Sequence, residues 1–304
     1  MNEATKPIKL ADPEELAGRL LKASAKQSFD PLVEIDWDAP IDKSKWSMRP
    51  ERMSLYGTYL WDRMSEDQKK ELCRLELAST YYLVMIGEQG LMQMILRHVY
   101  DKDPTSKYVQ YAWVEIADEC RHSTMFAKYI DKLGYLDDIS MGWLMRNAFR
   151  FQKAHASGAL AFFAILFVEE LFDHIQRETM ADDTLCPLAR AISRIHVIEE
   201  ARHMAYARES LKMDWAKLGP VMRARYRYGF ALIAFSYAYY LINPKVYARV
   251  GLDPKEARKV ALSNPNWTTS RVECMRKMTD LLRDIGALGG ADEKLWKKGG
   301  WVHA

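Results

Sequence analysis

The sequence predicts an all-α protein with a four-helix-bundle core and additional N- and C-terminal helices. Three observations predict it. No stretch shows the β-branched alternation of a strand. Long segments instead carry apolar residues at helical spacing between recognisable helix starts and stops. Finally, an acid followed by Glu-x-Arg-His occurs twice, as Asp118-Glu119-Cys120-Arg121-His122 and Glu199-Glu200-Ala201-Arg202-His203. A helix advances about 100° per residue, so the Glu and His of each E-x-x-H share one face.

Each element has its own signal. Pro13 to about Lys26 reads as a first helix, and Ser28 to Arg52, rich in Asp, Pro and Trp without a sustained period, as an extended arm. A Ser65-x-x-Gln68 capping box opens a long helix to about Tyr100 that carries Glu76 and Glu88. Asp103-Pro104 is expected to cap the next helix, because Pro at the first helical position loses no hydrogen bond. That helix carries the first E-x-x-H and stops at Gly134. One continuous helix is expected from Ser140 to about Met180, with Glu169-Glu170 ending its most apolar stretch. Pro187 opens the helix with the second E-x-x-H, to about Lys212, and further helices are expected from Trp215 to Ile242 and from Pro254 onward. No linker-like stretch divides the chain, so we expect an N-terminal arm at 1–35, one helical domain over 36–290 and a tail at 291–304.

Composition excludes several classes. With 49% apolar and 12% aromatic residues the chain can bury a sizeable core without staples. The +3 charge comes from interspersed acids and bases without basic blocks, so nucleic acid is not an expected partner. Cys73, Cys120, Cys186 and Cys274 form no C-x-x-C pair, which fits a reducing cytoplasm. Acids and a Pro interrupt the N-terminus where an export signal needs an apolar run. The most apolar runs, Gly158 to Val168 and Gly229 to Ile242, fall short of the ~20 residues that cross a bilayer, so no transmembrane segment is expected.

The order is a Glu helix, an E-x-x-H helix, a Glu helix and an E-x-x-H helix. Bundles that hold two metals take their inward ligands in this combination. Glu88 stands among apolar residues, where a carboxylate needs a partner; Glu76, three turns earlier, is the reserve. Periodicity does not choose between Glu169 and Glu170. Asp173 and Arg177 follow Glu169 on one stripe, as ligand-orienting groups or as a plain i,i+4 pair. His196 lies four residues before Glu200 and in register with His203, and its counterpart in the first copy is Glu115. Arg121 and Arg202 are expected to pair with Asp118, Glu199 or a neighbouring helix rather than with metal. Carboxylates and imidazoles without thiolate suit iron or manganese.

At these residues the chain resembles the carboxylate-bridged diiron N-oxygenases typified by p-aminobenzoate N-oxygenase, the AurF-like family. The distinctive block is Arg194-Ile195-His196-Val197-Ile198-Glu199-Glu200-Ala201-Arg202-His203. Similar too are Val168-Glu169-Glu170-Leu171-Phe172-Asp173 through Arg177, Asp36-Trp37-Asp38-Ala39-Pro40, Ser54-Leu55-Tyr56-Gly57-Thr58 and Val250-Gly251-Leu252-Asp253. The resemblance implies a ferritin-like bundle, a homodimer, and ligands at Glu88, Glu119, His122, Glu169, His196, Glu200 and His203 for two Fe ions, with manganese as the alternative. Glu169 is preferred over Glu170 for its spacing to His196. It further implies O2 as co-substrate, an external electron donor such as a reductase or ferredoxin, and oxidation of a small molecule at an arylamine nitrogen. The competing readings are C-hydroxylation or desaturation of a carrier-bound acid, an iron-oxidising ferritin-like protein, and a purely structural helical protein.

Overall fold

The computed structural model describes residues 8–140 and 142–303. The described residues contain helices and loops and no strand. Two short helices follow the first, giving α1 (Pro13–Lys26), α2 (Pro31–Glu34) and α3 (Tyr59–Arg63) ahead of the long α4 (Glu66–Val99) and α5 (Lys107–Leu133). Next come α6 (Leu136–Ile139), α7 (Trp143–His155), α8 (Ala159–Ala181) and α9 (Pro187–Ala216). The chain continues through α10 (Pro220–Tyr240), α11 (Lys245–Arg249), α12 (Pro254–Leu262), α13 (Pro265–Cys274), α14 (Arg276–Asp284) and α15 (Glu293–Lys298).

α4 packs on α5 and α8 on α9, and the two pairs close on each other through α5 against α9 and α4 against α8. This is the ferritin-like four-helix core. α1 lies over α5 and α9, α7 over α4, and α10 against α8 and α15. Trp296 and Trp301 at the chain's end are fully buried, and Trp301 Nε1 donates to the Ala234 carbonyl at 2.7 Å. Phe163 of α8 stacks on Phe230 of α10 with centroids 4.1 Å apart. Each such buried ring contributes about 1.5–3 kcal/mol through the apolar surface it removes from water. Among the described residues no helix is long and apolar enough to cross a membrane.

The caps follow local chemistry. Asp12 accepts from the Glu14 and Glu15 backbone N–H groups, Ser65 and Gln68 close the capping box of α4, and Gly134 ends α5 at φ 70°. Three boundaries differ from expectation. Pro104 does not open α5: Asp103 closes a local turn by accepting from the Thr105 N–H at 2.8 Å, and the helix starts at Lys107. There Glu14 of α1 accepts from the Lys107 N–H at 2.9 Å and from the Ser106 hydroxyl, so a distant carboxylate fixes the start. Trp215, expected to open a helix, instead lies in the last turn of α9, and the new helix starts at Pro220.

The third difference positions the site. The helix expected from Ser140 to Met180 is broken at Gly158, whose φ of 54° and ψ of −135° suit only glycine. The carbonyls at the end of α7 and just beyond it are met by Arg97 of α4, which donates to Ala154 at 2.7 Å, to Ala156 at 3.1 Å and to Lys153. α7 is thereby tied across α4, while α8 turns into the bundle.

Candidate metal centre

All seven expected ligands lie buried at the middle of the bundle. α4 supplies Glu88, α5 supplies Glu119 and His122, α8 supplies Glu169, and α9 supplies His196, Glu200 and His203. Their donor atoms form three overlapping groups, each within 4.8 Å: Glu119, His122, Glu200 and His203; Glu88, His122 and His196; Glu169, His196 and Glu200. His122 Nδ1 lies 3.4 Å from Glu119 and 3.2 Å from Glu200, and His203 Nδ1 lies 3.1 and 3.0 Å from the same two carboxylates. Glu119 and Glu200 therefore stand between the two imidazoles. His196 turns its Nε2 inward, 3.6 Å from both Glu88 and Glu200.

The outward ring nitrogens are held by residues for which the sequence reading had other roles or none. His122 Nε2 donates to Glu199 at 2.8 Å, and His203 Nε2 donates to Asp118 at 3.2 Å. Each motif's leading acid thus orients the other motif's histidine, across the α5–α9 contact. His196 Nδ1 donates to Gln176 Oε1 at 2.7 Å. A carboxylate or amide oxygen only accepts, so these partners fix which nitrogen of each ring keeps its proton and which faces the cluster. The arginines behave as expected: Arg121 pairs with Asp118, and Arg202 lies 3.7 Å from Glu199 and 3.8 Å from Asp118. The repeated acid ahead of each E-x-x-H, and Gln176 seven residues after Glu169, were the signals available in the sequence.

The remaining candidates sort by geometry. Glu169 joins His196 and Glu200, whereas Glu170 accepts from Arg208. Asp173 and Arg177 pair with each other at 2.8 Å. Glu76 lies outside the cluster, bound to Ser54. Glu115, in the register His196 occupies in the second motif, is fully buried but belongs to none of the three groups. Cys120 is exposed, its Sγ against Met92, so the centre has no thiolate.

Burial makes this cluster costly unless its charges are compensated. Burial first, and neighbouring carboxylates second, raise the Glu169 carboxyl well above its ordinary range. Burial alone would depress His122 and His203, but the surrounding carboxylates outweigh it and hold both well above the usual histidine range. Burial likewise opposes ionisation of Glu200, yet His203 and His196 keep it well below its ordinary value. Glu88 Oε1, both Glu119 oxygens, His122 Nδ1, Glu169 Oε2, His196 Nε2 and Glu200 Oε2 are buried without hydrogen-bond partners. Buried polar atoms are rarely left so, and this many converging on one point fit cations held by oxygen and imidazole nitrogen.

A cavity of about 230 Å³ adjoins the cluster, reached by Glu169 and walled by Ile86, Leu91, Ile165 and Val168, with Arg146 and Arg150 of α7 at its edge. It exceeds the ~150 Å³ cavity that accepts benzene in a protein core, so a substituted aromatic ring fits.

Three proteins described as uncharacterized, one from Mycobacterium bovis and two from Mycobacterium tuberculosis strains, are each 25% identical over 217 residues. The matches cover 69% of this chain and 63% of theirs, so the chain spans somewhat under two thirds of those relatives' length. Residues 11–286 match the family described as p-aminobenzoate N-oxygenase AurF, a stretch that contains every residue of the cluster. With its bundle, its paired motifs and this match over most of its length, the chain belongs to the p-aminobenzoate N-oxygenase AurF family.

Proposed function

We propose that this chain is a carboxylate-bridged diiron oxygenase that uses O2 to oxidise a small organic molecule at an amine nitrogen, most suitably that of an arylamine. The observation that carries the reading is the convergence of seven buried donor groups with orphaned ligand atoms beside a ring-sized cavity. Glu88, Glu119, His122, Glu169, His196, Glu200 and His203 would hold two Fe ions, or manganese in their place. Bound iron supplies the reductive activation of O2 that no side chain can perform. The chain's own part is to bind and orient. Asp118, Glu199 and Gln176 aim the three imidazoles, and Ile86, Leu91, Ile165 and Val168 would hold an aromatic ring beside Glu169. Insertion of one oxygen atom with release of water takes two electrons and two protons, supplied through an external donor such as a reductase or ferredoxin. We place the enzyme in the cytoplasm, as a homodimer.

The test is to load iron anaerobically, reduce the protein and expose it to isotopically labelled O2 with arylamines and fatty acids. Labelled hydroxylamine or nitro product supports the reading. Oxygenation or desaturation at carbon alone moves the chain to another diiron oxidation. Release of ferric mineral with every organic compound unchanged replaces the oxygenase by an iron-handling protein.

A further inference from the structure

A row of aromatic side chains leads from the ligand cluster to the surface, and the proposed reaction makes no use of it. Tyr206 stands one turn after His203 on α9, and Tyr111 stands on α5 one turn before Glu115; both are buried. Tyr206 follows the ligand His203 by three residues on α9, so the two share one face of the helix. The Tyr111 and Tyr206 rings are 5.1 Å apart, and the Tyr206 and Tyr108 rings 4.7 Å. Tyr108 reaches the outside, where with His98, Lys102 and Asp214 it lines a surface cavity of about 210 Å³.

The three phenols differ in what their hydroxyls meet. Tyr111 has no hydrogen-bond partner, and Tyr206 donates to the Tyr108 carbonyl at 3.3 Å and has no imidazole beside its hydroxyl. The Tyr108 hydroxyl lies 3.1 Å from His98 Nε2 and 2.8 Å from Ser210 Oγ. With Ser210 donating to it, Tyr108 donates to the imidazole. One-electron oxidation makes a phenol strongly acidic, so it is easiest where a base waits for the proton. Of the three, Tyr108 alone has such a base. Burial, then Lys102, pushes His98 down to about 4, so its ring is neutral and can accept at neutral pH. Burial pushes Tyr108 up to about 12, so its O–H bond is intact beforehand.

We propose that Tyr108 and His98 form a redox-active pair that drains one oxidising equivalent from the metal centre to the surface by way of Tyr111 and Tyr206. The inference rests on the oxygenase reading for its source of oxidant. In the step, Tyr108 would lose one electron to iron held by the cluster once O2 had oxidised it. The phenolic O–H bond breaks, and its proton forms an N–H bond at His98 Nε2. A one-electron reductant of the ascorbate or thiol class, reaching the surface cavity, returns the electron, and His98 returns the proton. An oxidising equivalent that meets no substrate is thereby spent at Tyr108 rather than on the ligand histidines.

Two measurements test this. In the first, the full-length metal-free protein carries a ruthenium–bipyridyl photo-oxidant on Lys102→Cys, with Cys120→Ser and Tyr100→Phe removing the exposed thiol and the exposed neighbouring phenol. A laser flash should give the phenoxyl absorption. Tyr108→Phe should abolish it, and His98→Gln should slow its formation at least tenfold. An equal signal in either variant overturns the pair. In the second, iron-loaded, reduced protein is mixed with O2 without organic substrate, freeze-quenched and examined by electron paramagnetic resonance. A phenoxyl signal is expected that disappears in Tyr108→Phe and falls at least tenfold in Tyr206→Phe, a substitution that leaves the flash result unchanged. An undiminished signal in Tyr206→Phe overturns the conduit. If O2 leaves the loaded protein unreacted, the oxygenase reading and the conduit fall together, whereas the pair stands or falls on the flash measurement.

Discussion

Two glutamates on α4, Glu88 buried and Glu76 half-buried, meet opposite fates. Glu88 faces α5 and α9, accepts one hydrogen bond from Ser123 at 2.7 Å, and leaves its other oxygen unpartnered 3.6 Å from His196. Glu76, three turns earlier, has both oxygens occupied, one by the Ser54 N–H at 3.1 Å and the other by the Ser54 hydroxyl, which also meets Tyr247 at 2.8 Å. The two are alike in residue type and helix, and both turn their carboxylates into the protein. What separates them is whether hydrogen-bond donors within the protein use up their lone pairs. Neither an inward carboxylate nor an unpartnered one marks the candidate site by itself, since Glu115 is buried with both oxygens unpartnered and outside all three groups; convergence with imidazole nitrogens does.

The largest expected effect breaks or upholds this distinction directly. His122→Ala, and to a lesser degree Glu88→Gln, should lower iron from about two per chain to about one or less, whereas Glu76→Gln should retain both. Elemental analysis after anaerobic loading reads this, and loss of iron from the Glu76 variant would erase the contrast.

Next in size is the pH response of Glu76. Burial raises its carboxyl from 4.5 to about 7, against the hydrogen bonds from Ser54 that pull it down. Because the folded-state value exceeds the unfolded one, its contribution to stability is full below pH 4.5, declines as pH rises and is lost above about 7. The shift corresponds to about 3 kcal/mol at most. The stability of wild type relative to Glu76→Gln should fall by an amount of that order between pH 4.5 and 8. Urea denaturation of metal-free protein at both ends measures it, since the metal-centre groups titrate equally in both proteins and cancel. A constant difference would mean that Glu76 stays ionised.

A smaller effect is expected one layer outside the ligands. Asp118→Asn, Glu199→Gln and Gln176→Ala should each keep the bundle folded and weaken metal binding about 10- to 100-fold, by releasing the imidazole each one aims. Competition with a chelator measures this, and unchanged affinity in all three would remove their orienting role. The smallest contrast is between the two serines. Ser54→Ala should cost about 1–3 kcal/mol of stability, because it strips the half-buried Glu76 carboxylate of a donor, without changing metal content. Ser123→Ala should cost about 1 kcal/mol or less and change metal affinity less than tenfold.

Much of this architecture was legible in the chain because its signals are local. Helix starts at Pro13, Ser65 and Pro187 and the stop at Gly134 depend on neighbours a few residues away, and they fall where the sequence places them. The start of α5 was not legible, since Glu14, over ninety residues upstream of Lys107, sets it. The break at Gly158 had a local signal in Ser157-Gly158, but a helix can also run through an isolated glycine, so packing had to decide it. The same division runs through the centre. An i,i+3 spacing puts Glu119 with His122, and Glu200 with His203, on shared faces whatever the surroundings.

By itself, then, the sequence determined four long helices with carboxylate and imidazole stripes in alternating order, because turn chemistry and the 3.6-residue period act within one segment. Periodicity left Glu169 and Glu170 open and the resemblance preferred Glu169; packing turns Glu169 toward His196 and leaves Glu170 to Arg208. Tertiary structure alone decided that Asp118 serves His203 while Glu199 serves His122. It also set α7 over α4 beside the cavity at Glu169. The reason is geometric: periodicity fixes the angle between side chains on one helix, but not the rotation of that helix about its axis against its neighbours. Only packing fixes that rotation, and with it which acid meets which ring.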